Sequence, residues 1–150
     1  MKILVATDGS EFSEAAVAKA VEMFGDSTDN ELRIITAAEP VYTPAEPFAL
    51  SSDYVQALES AALKKASDVI SKAEAEMREA VGQLNIRLTT SVVKGYANQA
   101  IVEEAEGWGA DVIVLGSHGY GLWRRALLGS VSNSVLHHAP CSVLVVRNKD

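Results

Sequence analysis

The sequence lacks most of what would mark a secreted, membrane-spanning or nucleic-acid-binding protein. Its single cysteine, Cys141, excludes an intrachain disulfide. That fits a reducing compartment, so the cytoplasm is the expected location. No apolar run approaches the length that spans a bilayer. Met1-Lys2 leads straight into strand-like residues, with no signal-peptide pattern. Basic residues are in deficit, 13 Lys and Arg against 20 Asp and Glu, for a formal net charge of -7. A protein that grips a nucleic-acid backbone needs a basic face, so neither DNA nor RNA is an expected partner.

Catalytic signatures are missing as well. The chain has no nucleophile elbow, no Walker A lysine and no Cys/His metal spacing. No G-x-G-x-x-G follows the first strand, which disfavours a dinucleotide fold. A receiver domain would need an Asp closing the third strand, where Val92-Val93-Lys94-Gly95 stands instead. No dedicated enzyme is therefore expected, and no metal site built from side chains.

With 150 residues, 48% of them hydrophobic, the chain is long and apolar enough for one folded domain spanning 1–150. Lys2 to Thr7 reads as a buried strand that stops at Asp-Gly. Phe12, Ala16, Val17, Ala20, Val21 and Phe24 fall at helical spacing, and Gly25 suits the position just past that helix. Leu32 to Ala38 is a second strand. Glu39 to Ser51 carries Pro40, Pro44 and Pro47 and reads as an irregular connection. A long helix follows from Ser51 or Ser52 to near Gly82, with an apolar stripe through Val55, Leu58, Ala62, Val69, Ala73, Met77 and Ala80. Ile86 to Val93, Asp111 to Leu115 and Ser142 to Arg147 complete the strands. Asn98 to Glu106 and Ser130 to His138 complete the helices.

Strands alternate with helices throughout. Val112-Ile113-Val114-Leu115 and Val143-Leu144-Val145-Val146 are continuous apolar runs, as in strands covered on both faces. The fold expected is α/β, a three-layer sandwich around a five-stranded parallel sheet with right-handed crossovers. Two strand orders satisfy this pattern.

Gly116-Ser117-His118-Gly119 is followed, after nine residues, by Gly129-Ser130-Val131-Ser132. A strand precedes the first glycines and a helix follows the last. Glycines let backbone approach a ligand, and the first amides of a helix lack internal partners and carry partial positive charge. Strand, glycine segment and helix N-terminus in that order make an anion site, to which Ser130 and Ser132 add hydroxyl groups.

The spacing G-x2-G-x9-G-[ST], with Leu127-Leu128-Gly129-Ser130-Val131-Ser132 and His138-Ala139-Pro140-Cys141-Ser142-Val143-Leu144-Val145-Val146, resembles the ATP-binding signature of the universal stress protein family. Lys2-Ile3-Leu4-Val5-Ala6-Thr7-Asp8-Gly9-Ser10 is similar to the family's opening strand and turn. The resemblance implies strand order 3-2-1-4-5, with the first and fourth strands side by side where ligands bind. It implies ATP, with Mg²⁺, as cofactor and a nucleotide-dependent role in sensing or regulating stress. It also implies a homodimer joined through the edge strand Val143–Val146. An ATP-cleaving or nucleotidyl-transferring enzyme of the same broad fold is one alternative, and a nucleotide-free dimeric interaction protein is another.

Individual residues then take expected roles. Asp8 is either a helix cap and turn former or an acceptor for ribose hydroxyls. A carboxylate suits a diol better than a triphosphate, and the resemblance places it at adenosine. Ala6, Thr7, Ala37 and Leu115 are core residues or, by the resemblance, neighbours of the nucleoside. Gly116, Gly119, Gly129, Ser130, Val131 and Ser132 are the expected phosphate contacts. At Ser117 and His118 the backbone amides count for more than the side chains. Arg124 either reaches a γ-phosphate or is an ordinary exposed arginine. Gly95-Tyr96-Ala97-Asn98 is either a plain turn or a border of the adenine pocket. His137 and His138 are adjacent and point to different helix faces, unlike a metal pair at i, i+4.

Overall fold

Ile3, Leu4 and Val5 have no solvent exposure, because the strand that carries them lies in the middle of the sheet with helices on both faces. The computed structural model describes residues 1–40, 51–81, 86–119 and 128–147. The elements run β1 (Lys2–Ala6), α1 (Glu11–Phe24), β2 (Glu31–Ala38), α2 (Ser52–Val81), β3 (Arg87–Lys94), α3 (Ala97–Trp108), β4 (Val112–Gly116), α4 (Ser130–His138) and β5 (Ser142–Val146). The strands form one sheet in the order β3-β2-β1-β4-β5. Every neighbouring pair is parallel, with Ile3 beside Leu32 on one side and beside Val112 on the other.

Alternation along the strands sorts the core into two layers. Ile3, Val5, Leu32, Ile34, Val112 and Val114 meet Ala16, Val17 and Ala20 of α1 and Ile70, Ala73 and Met77 of α2. Leu4, Ala6, Ile35, Ile113 and Leu115 meet Ile101 and Ala105 of α3 and Val135 of α4. Burial of these aliphatic side chains, worth about 1.5–3 kcal/mol for each Val, Leu or Ile, is the main force holding the layers together.

The elements agree with the sequence pattern, and the differences have local causes. Gly25 is not left-handed; its φ is −68° and its N–H bonds Val21 O. A Cβ there would stand 2.5 Å from that oxygen, so close approach explains the glycine. Helix α3 runs past Glu106 to Trp108, because Gly109 (φ 72°) takes the left-handed cap and donates to the carbonyls of Ala105 and Glu106. In α2 the buried stripe is Ala66, Ile70, Ala73 and Met77. The earlier apolar positions Val55, Leu58 and Ala62 are only half-buried. A helix of 30 residues is about 45 Å long, whereas a strand of eight residues covers only about 27 Å. The first turns of α2 therefore overhang the C-terminal edge of the sheet.

No helix among the described residues is long and apolar enough to cross a membrane. Pro44, Pro47, Gly82, Leu122, Trp123, Arg124, Arg125 and Leu127 lie outside the described residues.

Candidate functional site

The chain leaves β1 toward α1 on one face of the sheet and approaches α4 from β4 on the other. Since β1 and β4 are neighbours, their C-terminal ends open a crevice between diverging connections. A cavity of about 710 Å³ occupies it, within the usual range for small-molecule sites.

The β1–α1 turn is held by its own hydroxyls. Asp8 Oδ1 accepts from the N–H and Oγ of Ser10 at 3.0 and 2.6 Å. Ser10 Oγ in turn caps α1 by accepting from the N–H of Ser13. Ser13 Oγ meets Thr7 Oγ1 at 2.9 Å, accepts from the N–H of Asp8 and donates to Ser10 O. Gly9, at φ 80°, supplies the reversal. One oxygen of Asp8 thus serves as turn former, and Oδ2 faces the cavity beside Gly119. The two roles weighed for Asp8 are compatible, one for each oxygen.

The glycines after β4 are required by close approach. A Cβ on Gly116 would stand 2.6 Å from Phe12 O, and one on Gly119 would stand 2.5 Å from Asp8 Oδ2. A Cβ on Gly129 would lie 3.3 Å from His118 Cα and 3.4 Å from Ser117 O. These contacts pull the glycine segment, the β1–α1 turn and the start of α4 together. The ring of His118 packs on Phe12 with centroids 5.4 Å apart, and its Nδ1 lies 3.1 Å from Ser117 Oγ.

Helix α4 begins at the cavity. Its N-cap residue, Gly129, offers no side-chain cap. The first intrahelical bond is that of the Asn133 N–H to Gly129 O. The helix therefore leaves the amides of Ser130, Val131 and Ser132 without partners of its own. All three residues line the cavity, where the helix dipole adds partial positive charge.

Of the residues expected to border the nucleoside or the phosphates, Ala6, Thr7, Asp8, Ala37, Leu115, Gly116, His118, Gly119, Gly129, Ser130, Val131 and Ser132 line this cavity and Ser117 does not. Ser117 is 2% exposed. Its N–H donates to Val146 O and its carbonyl accepts from the Gly129 N–H at 2.7 Å. It ties β5 and α4 to the glycine segment. Ser132 is buried and its Oγ donates to Gly116 O at 2.7 Å. Its hydroxyl proton is therefore committed to the protein, and only its amide and oxygen lone pairs are left for a ligand. Ser130 is exposed at the mouth. His137 and His138 lie at the far end of α4. Arg124 lies outside the described residues.

Several lining residues escaped the sequence reading. Ile35, Ala38 and Ile101 are among them, and they join Ala37 and Ala97, both named from the sequence, in an apolar wall at the end of β2. Glu39 also lines the cavity, and its Oε1 accepts from the N–H of Ala97 at 3.0 Å, capping α3. Tyr96 is 53% exposed, so of the turn before α3 it is Ala97 that borders the cavity. Helix α2 contributes Ala62, Lys65, Ala66 and Val69. Helix length was the available signal: α2 had to outrun the strands it packs on. Ser13 was legible only through its spacing from Thr7 and Asp8.

The comparisons with known proteins point one way. The model of the universal stress protein family matches residues 1–147. This chain belongs to the universal stress protein family. Universal stress protein A homolog 2 of Coxiella burnetii is 37% identical over 99% of this chain and 95% of its own. The solved universal stress protein UspA from Lactobacillus plantarum has a TM-score of 0.80 at 25% identity, covering 98% of this universal stress protein and 97% of that one. A universal stress protein solved in complex with cAMP has a TM-score of 0.64 at 27% identity, covering 99% and 98%.

Proposed function

We propose that this universal stress protein binds an adenine nucleotide in the crevice between β1 and β4, with ATP and its Mg²⁺ as the foremost candidate. In this reading it acts as a nucleotide-dependent stress sensor or regulator. The observation that carries the proposal is the set of three amides at Ser130, Val131 and Ser132, without a backbone partner among the described residues, opening on the cavity beside Gly116 and Gly119. Such a cradle fits phosphate. The small residues Ala6, Ala37, Ala38 and Ala97, with Ile35 and Leu115, leave apolar room for a base. Asp8 Oδ2 suits a ribose diol between them. The relative solved with cAMP supports adenine as the base.

Among the described residues no cluster of three or more His, Cys, Asp or Glu could hold a metal. Mg²⁺ in this proposal is accordingly held mainly by the phosphates and water, as is usual for this ion. The residues assembled here provide donors for phosphate, and the hydroxyl–imidazole pair of Ser117 Oγ and His118 Nδ1 has its hydroxyl buried at a residue that does not line the cavity, which favours binding over turnover. Turnover above about 1 s⁻¹, within the enzymatic range, would contradict that. A homodimer through the half-buried edge strand β5 and a cytoplasmic location belong to the same proposal.

Thermal denaturation tests the binding. ATP at about 100 times Kd adds roughly 2.7 kcal/mol of stability, raising Tm by about 5–10 °C for a chain of this size. An unchanged Tm with millimolar ATP, ADP and AMP contradicts the proposal.

A further inference from the structure

Two acidic side chains, Asp8 and Glu39, line the cavity of a protein whose net charge is -7. For a polyphosphate, that is an unfavourable setting. Among the described lining residues, Lys65 is the one lysine or arginine, and its place on α2 is fixed by the packing below it. Lys65, Val69, Lys72 and Glu76 follow one another at steps of four, three and four, which is a single face of a helix. At Lys72 that face meets α1, where Nζ pairs with Glu14. Glu14 lies in the first turn of α1, just below the Asp8–Ser13 turn. Lys65 is two helical turns toward the α2 N-terminus, about 10 Å further along the axis. That places it on the overhanging part of α2, where it lines the cavity. The next residue, Lys64, is turned about 100° around the helix and does not line the cavity.

We infer that Lys65 reads the phosphate charge of the bound nucleotide, favouring polyphosphate over monophosphate and nucleoside. The inference rests on the adenine-nucleotide reading and deepens it. The amides of α4 satisfy oxygens by geometry and distinguish weakly between one phosphate and three. The ammonium of Lys65, on the wall opposite α4, responds to the number of charges it faces. Lys65 is exposed, so its attraction acts across water. At about 4 Å in water, a pair of unit charges is worth on the order of 1 kcal/mol, which corresponds to about five-fold in affinity. The effect weakens with salt, as the screening length falls from about 30 Å at 0.01 M to about 8 Å at 0.15 M.

Calorimetric titration of the full chain with adenosine, AMP, ADP and ATP, each at low and physiological salt, tests this. Lys65→Met is compared with Lys65→Arg, Lys64→Met and the unaltered protein. Lys65→Met is expected to lose about five-fold or more for ATP at low salt, progressively less for ADP and AMP, and under about two-fold for adenosine. Lys65→Arg retains the order, and Lys64→Met, which makes the same change in net charge, leaves it intact. An equal loss for all four ligands, an unchanged ratio of ATP to adenosine affinity, or the same effect from Lys64→Met overturns the assignment while leaving nucleotide binding standing. Failure of the unaltered protein to bind any of the four overturns the nucleotide reading, and the role of Lys65 with it.

Discussion

Oδ2 of Asp8 lies 2.5 Å from the point that a Cβ on Gly119 would occupy. The carboxylate at the end of β1 and the glycine segment after β4 are thus fitted to one another across the crevice. Gly119→Ala must push the carboxylate aside. Because the obstacle is the end of a side chain, stability changes little, within about 0.5–1 kcal/mol, while nucleotide affinity falls. Gly116→Ala meets the carbonyl of Phe12, with O at 2.6 Å and C at 2.7 Å. Main chain cannot step aside so easily, and a loss of about 1–3 kcal/mol is expected. Thermal denaturation and ligand titration of the two variants should give opposite rankings, Gly116→Ala worse for stability and Gly119→Ala worse for affinity relative to stability.

Asp8→Asn separates the two duties of that side chain. An amide oxygen can still accept from Ser10, so the turn is kept, but the group facing the cavity becomes a donor. The variant should fold normally and lose about ten-fold or more in affinity for ATP, the scale of a hydrogen bond to a charged group. For the 2′,3′-dideoxy analogue it should lose much less. Equal losses for both ligands would remove Asp8 from the ribose.

Ser132→Ala tests the tie between α4 and the glycine segment. Removing Oγ leaves Gly116 O, in a fully buried stretch, without that donor. The expected cost is about 1–3 kcal/mol, read as a lowered midpoint in urea. Because the hydroxyl proton is already committed to Gly116, affinity for ATP should fall only as far as the helix start is displaced. A variant as stable as the parent that has lost ATP would show the hydroxyl serving the ligand directly.

Cys141 should be a poor nucleophile. Burial, and after it the negative charge of Asp111, pushes its thiol up from the ordinary value. The thiolate is the reactive form, so alkylation at pH 8 should be slower than for the same protein unfolded in urea. The raised value also fixes the sign of the pH effect. The contribution to stability is complete below the unfolded thiol value and is lost as pH climbs through the folded one. Asp111→Asn should speed labelling only in part, since burial is the larger cause. Folded and unfolded protein reacting at equal rates would contradict this.

The fold was legible because the strands announce themselves. Val112 to Leu115 is apolar without interruption, as a strand covered on both faces must be, and the Asp8-Gly9 turn marks where the first strand stops. Gly116, Gly119 and Gly129 were legible by spacing, although their reason proved to be close approach and none of them has positive φ. Ser117 was misjudged because sequence adjacency to Gly116 cannot tell an inward carbonyl from an outward amide. The commitment of Ser132 to Gly116 links residues 16 apart and leaves no local trace. Lys65 and Glu39 reach the cavity through the overhang of α2 and the capping of α3, which are tertiary facts. On a helix wheel, Lys65 is one more charge on a solvated face.

The most direct test is to follow the backbone amide resonances of isotope-labelled protein during titration with ATP and, separately, adenosine. ATP should shift the amides of Ser130, Val131 and Ser132 and slow their exchange with solvent, whereas adenosine should move Asp8 and Ala37 and leave those three nearly still. ATP that binds without disturbing the first turn of α4 would contradict the account.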